Sequence, residues 1–162
     1  MKELSALAQS IPASPTLAVN DKAKALQAAG EDVIALAGGD PDFDTPHHIT
    51  AAAFAAIESG ATHYPSPMKG IVPALEAIAQ KTWQDNSVKV DSMSQIIITP
   101  GGKWALNLAL QAVLNPGDEV LYLEPHWVSY PASITLAGGT PVPVSLPSER
   151  NFEITVALLR AA

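Results

Sequence analysis

The chain has 162 residues, 48% of them hydrophobic and 15% charged, the composition of a globular protein long enough to bury one core. Lys and Arg number 9 against 16 Asp and Glu, and the formal charge of -7 repels nucleic-acid phosphates and anionic lipid, so nucleic acid and membrane are set aside as partners. With no cysteine there is no disulfide framework, thiolate metal site or cysteine nucleophile, which fits a cytoplasmic protein. The first ten residues lack the apolar run and cleavage site of a secretory signal, and the apolar stretches 51–57 and 96–98 are too short to cross a bilayer.

In chain order, Pro12 and Pro15 predict an extended arm to about Thr16. Asn20-Asp21 cap a short helix from Lys22 to Ala29 that Gly30 ends. After the apolar run Val33 to Leu36, the Gly- and Pro-bearing stretch 37–44 predicts a loop. Thr45-Pro46 opens a helix that runs to Gly60. His63 to Pro67 is a second loop, and Ile71, Leu75, Ile78, Ala79 and Thr82 keep helical spacing over 71–84.

The β-branched run 95–99 predicts a buried strand, followed by the turn Pro100-Gly101-Gly102. A helix over 103–114, the turn Asn115-Pro116-Gly117-Asp118 and a strand over 119–123 come next. The loop 124–127, a helix over 128–137, a strand over 140–146 and a helix opening near Thr155 complete the pattern. This alternation predicts an α/β layer with parallel strands.

The strand-Gly101-Gly102-helix junction is the strongest chemical signal. Ligands of open α/β sheets bind at the carboxyl ends of strands, and the amides opening a helix suit a phosphate. Lys103 adds a cation in the first turn. A glycine turn needed only for packing is the plainer alternative. The P-loop pattern fails, because Ile97 holds its first Gly and Trp104 follows Lys103. The dinucleotide fingerprint fails for want of a third glycine, although Glu124 ends the next strand where a ribose contact would lie. Trp127, on the same rim as Gly101-Gly102, offers an indole face to a flat heteroaromatic ring, with a packing tryptophan as the alternative.

Other motifs carry less. Asp40, Asp42 and Asp44 alternate like calcium ligands, but Thr45 and Ala51 stand where an EF-hand loop needs Gly and Glu. His47 and His48 are adjacent and cannot share one helix face as zinc ligands. Ser66 and Lys69 match S-x-x-K by spacing alone.

Six motifs then line up in order. They are Val19-Asn20-Asp21-Lys22-Ala23, the run from Leu36 to Pro46, Tyr64-Pro65, Pro100-Gly101-Gly102-Lys103, the run from Asn115 to Val120, and Trp127-Val128-Ser129-Tyr130-Pro131. Together they resemble the class I (fold type I) pyridoxal-phosphate-dependent aminotransferases, in particular the bacterial aspartate/prephenate branch. The resemblance covers nearly the whole chain and implies an N-terminal part of such a protein.

It implies an incomplete three-layer α/β/α large domain over 46–162, preceded by an arm and small-domain segment over 1–45. It implies a homodimer, pyridoxal 5'-phosphate as cofactor, and amino acid and 2-oxo acid substrates. By the same resemblance Gly102, Lys103 and the amide of Trp104 hold the cofactor phosphate and Trp127 stacks on its ring. Gly39 offers its backbone to the substrate, and Tyr64 reaches the phosphate of the partner subunit. Trp104, His126 (where a Tyr is common) and Met68-Lys69 depart from the family pattern.

The family's Schiff-base Lys, its ring-holding Asn and Asp, and its carboxylate-binding Arg have no counterpart in this sequence. No catalytic residue is therefore assigned, and the expectation is a chain inactive by itself. In that fold the 95–99 strand lies apart from the next two, so the isolated chain is expected to repack, aggregate or await more polypeptide. A non-catalytic dimerising or regulatory partner and a small nucleotide-binding α/β domain are the alternatives.

Overall fold

A computed structural model describes residues 3–12, 14–39 and 41–162. The expectations for Met1 and Lys2 at the start of the chain, and for Asp40 in the acidic loop, lie outside the described residues. The chain forms two compact units, one from Met1–Asp40 with Gly101–Ala162 and the other from Pro41–Pro100.

In the first unit, helices replace most of the expected arm. α1 (Ala6–Ser10) is capped by the Ser5 hydroxyl, which accepts from the Ala8 N–H at 3.2 Å. α2 (Pro15–Ala28) begins well before Lys22, and Asn20-Asp21 lie inside it. A proline at the first helical position has its φ already set, and Leu17, Ala18 and Val19 extend the helix without a break. Ala23 of α2 is buried.

The expected α/β alternation follows Gly101. α5 (Gly102–Val113) leads to β1 (Glu119–Glu124), then α6 (Ser129–Leu136) and β2 (Thr140–Ser145). The strands pair in parallel, from Glu119 opposite Thr140 to Glu124 opposite Ser145. Turn chemistry sets that register. The Asp118 carboxylate accepts from the Asn115 N–H at 2.8 Å and closes the turn before β1. The Gly117 N–H donates to the Gly138 carbonyl at 2.9 Å, and the Thr140 N–H to the Asp118 carbonyl at 2.8 Å, joining the starts of both strands. Ile134 of α6 and Val144 of β2 form the buried centre of this layer. A 3-10 turn (Ser148–Arg150) precedes the last helix (Val156–Ala161), where the Thr155 hydroxyl accepts from the Leu158 N–H at 3.3 Å.

The second unit holds α3 (His47–Glu58) and α4 (Val72–Asn86), with Leu75 fully buried and Ile96 nearly so. Here the sequence expectation of a strand over 95–99 is corrected. Among the described residues the sheet has two strands, β1 and β2, and 96–99 lies outside it. Its Ile98 N–H donates instead to the Lys69 carbonyl at 2.8 Å. The run is buried only at Ile96, with Ile97 72% and Ile98 43% exposed. A β-branched run becomes a sheet strand only where a neighbour accepts its ladder of hydrogen bonds. Among the described residues no helix is long and apolar enough to cross a membrane.

Candidate functional site

The N-terminus of α5 is built on glycine. Gly101 precedes the helix at φ +87, a left-handed conformation that a side chain disfavours. A Cβ placed at Gly101 or Gly102 would meet no atom within 4 Å, so the approach to the first turn is open. The opening amides of a helix have no carbonyl partner inside it, and the glycine preceding α5 has no side chain with which to cap them. The end carries the positive pole of the helix dipole.

Lys103 continues this site. Its Nζ lies 5.2 Å from the centroid of the Trp127 ring, within the range of a cation–π contact. Trp127 sits in the loop between β1 and α6, at the carboxyl end of β1. Its indole meets Tyr130 edge-to-face at 5.6 Å and 89°. Its carbonyl accepts twice, from the Tyr130 N–H at 3.0 Å and from His126 Nδ1 at 2.8 Å. The His126 ring in turn stands edge-on to Tyr122 at 4.8 Å.

Gly39, Lys103 and Trp127 line one cavity of about 570 Å³, together with Ser14, His126 and Ser129. Three positions far apart in sequence are thus brought together. Trp104 is 51% exposed and, with Lys103 and Asn107, lines an adjoining cavity of about 370 Å³. Tyr64 belongs to the second unit, where it is 88% exposed beside Pro65. Glu124, the rival ribose ligand, accepts from the Ser145 hydroxyl at 2.9 Å.

Sequence reasoning missed Ser14 and Thr16, which line the Lys103 cavity, because the arm shows no period to follow. It noted His126 as a departure without seeing its bond to the adjacent carbonyl. That side-chain tie depends on a rotamer, which residue order does not display.

A parallel pair of strands joined by a helix, with a glycine-opened helix before it and a lysine over an indole at the carboxyl end of the first strand, defines an α/β protein. The chain belongs to the family described as aminotransferase class I and II, whose sequence model matches residues 31–162. It is 48% identical over 149 residues to the aspartate/prephenate aminotransferase of Cereibacter sphaeroides, covering 92% of this chain and 37% of that protein. It is 44% identical over 161 residues to the aspartate aminotransferase of Streptomyces avermitilis, covering 99% of this chain and 39% of that one.

The solved aspartate aminotransferase of Thermus thermophilus with maleate superposes on 100% of this chain and 42% of its own, at 43% identity and a TM-score of 0.92. The fold is therefore part of fold type I. The chain spans about 40% of the length of these relatives. The family generally depends on pyridoxal phosphate.

Proposed function

We propose that this chain supplies the phosphate- and ring-holding part of an aminotransferase site that moves an amino group from an amino acid to a 2-oxo acid. One observation carries the reading: Lys103, in the first turn of α5, lies over the Trp127 indole in the cavity that Gly39 lines. The residues fit pyridoxal phosphate. The amides of Gly102, Lys103 and Trp104 would take its phosphate, and the Trp127 face its pyridine ring. When bound, that group draws electrons from the substrate's α-carbon bond.

Gly39 would orient the substrate through its backbone. The Lys103 ammonium would add a cation for the cofactor phosphate. We place the lysine for covalent attachment, and the proton transfers at the substrate, outside these residues, and assign this chain no catalytic group.

The same reading includes a homodimer in which Tyr64 reaches the partner's cofactor phosphate. It includes an arm and small-domain segment over 1–45 and a large domain from 46, in a cytoplasmic setting.

The test is titration with pyridoxal phosphate, followed by the emission of Trp127 in a W83F/W104F background. Saturable quenching, competed by inorganic phosphate, is expected. Trp127→Leu in the unmodified background, followed by equilibrium dialysis, should weaken binding by about 0.5–1.5 kcal/mol, the worth of a ring contact. Lys103→Ala should weaken it by up to about 1 kcal/mol, the worth of an exposed ion pair. Binding unchanged in both variants would overturn the assignment.

A further inference from the structure

We infer that His126 is the positioning residue for Trp127, locking the aromatic wall of the cavity through its own Nδ1–H. The inference rests on the reading of Trp127 as the ring-binding wall. The Trp127 carbonyl oxygen can accept two hydrogen bonds, and both are present: the Tyr130 N–H at 3.0 Å from the start of α6, and His126 Nδ1 at 2.8 Å. The first bond ties the residue to the helix that follows it, and the second ties it to the side chain that precedes it.

A carbonyl offers no proton, so Nδ1 must be the donor, and the contact selects the tautomer protonated there. The ring is held in turn by its edge-to-face contact with Tyr122 of β1, at 4.8 Å and 83°. A chain of contacts thus runs from the strand through His126 to Trp127. The strand end of that chain is itself paired along its length with β2.

The identity of residue 126 matters to this device. The family resemblance leads to Tyr at this position. A phenol carries its one donor at the far end of the ring and cannot turn it onto the carbonyl of the next residue. The imidazole Nδ1 lies next to the point of attachment and can. In this chain the loop 125–128 therefore carries a side-chain tie that a Tyr would not supply. Trp127 keeps 44% of its surface exposed and has no buried socket, so orientation must come from such ties together with the Tyr130 edge.

The experiment compares His126→Phe and His126→Asn in the W83F/W104F background, where Trp127 alone emits. Phe keeps a ring against Tyr122 and removes the donor. Asn gives up the ring and keeps an amide N–H close to the place of Nδ1. Two quantities are read: Trp127 emission anisotropy without ligand, and the Kd for pyridoxal phosphate. Phe is expected to lower the anisotropy and weaken binding roughly fivefold, the equivalent of one ordinary hydrogen bond. Asn should hold both quantities near those of the unsubstituted residue.

Losses in Asn with none in Phe would show that ring packing alone matters, and would overturn the inference, as would equal losses in both or no change in either. If the anisotropy separates the variants but pyridoxal phosphate does not bind even with His126 present, the positioning role stands and the cofactor reading falls.

Discussion

Asp91 holds a tight turn with its carboxylate. It accepts from the Ser94 hydroxyl at 2.8 Å and from the Met93 N–H at 2.9 Å, while its carbonyl accepts from the Gln95 N–H at 3.0 Å. The Ser94 hydroxyl first, then the Met93 amide, stabilise the charged form and hold the Asp91 carboxyl below its ordinary pKa. A depressed folded value means that stabilisation is present above the unfolded value, about 3.9, and disappears as pH falls through the lower folded one. Amide exchange at Gln95 should therefore be better protected in the unsubstituted chain than in Asp91→Asn at pH 6. The difference should vanish by about pH 2, below the usual carboxylate range. A gap of equal size at both pH values would mean that charge plays no part.

At the scale of the element, the two units respond differently to the loss of a glycine. Gly101 stands before α5 at φ +87 with open space where a Cβ would go, so Gly101→Ala should meet only backbone strain, about 1–3 kcal/mol. Gly70 has φ +142, and its Cβ would lie 2.7 Å from Ile98 Cδ1 and 3.2 Å from Leu75 Cδ2. Gly70→Ala adds a clash to the strain and should destabilise the second unit more than Gly101→Ala destabilises the first. Leu75→Ala, at a fully buried position, should remove about 2–5 kcal/mol. Amide exchange in α4 and α5 measures each unit separately. Equal responses to Gly70→Ala and Gly101→Ala would contradict the packing around Ile98.

At the scale of the whole molecule, closed apolar core is scarce in each unit. Among the described residues the buried apolar side chains are Ala23, Leu75, Ile96, Ile134 and Val144, while Phe54 of α3 is 67% exposed and Val113 of α5 72%. An open cavity of about 600 Å³ beside β1 is lined by Leu106, Leu110, Leu121, Leu123 and Ile134 among others. So little closed core predicts a broad thermal transition and strong binding of a hydrophobic dye by the isolated 162-residue chain. Such a chain is poised to associate or to pack against further polypeptide. A sharp two-state transition without dye binding would refute this.

Local features were legible in the residue order. Helix periodicity placed the cores of α3, α4, α5 and α6 to within a few residues, and the glycine-proline turns bounded β1 and β2. The Thr45-Pro46 and Gly101-Gly102 junctions act over a few bonds, so neighbouring residues suffice to specify them. The same order identified the family through six spaced motifs, and with it the residues of the candidate site. Tertiary structure decided what depends on a distant partner. The run 95–99 has strand composition but stays outside the sheet, because strand pairing needs a second segment to complete its hydrogen bonds. Gly39, Lys103 and Trp127 meet in one cavity only because the segment before residue 40 packs with the segment after residue 100, a long-range closure that no local pattern encodes.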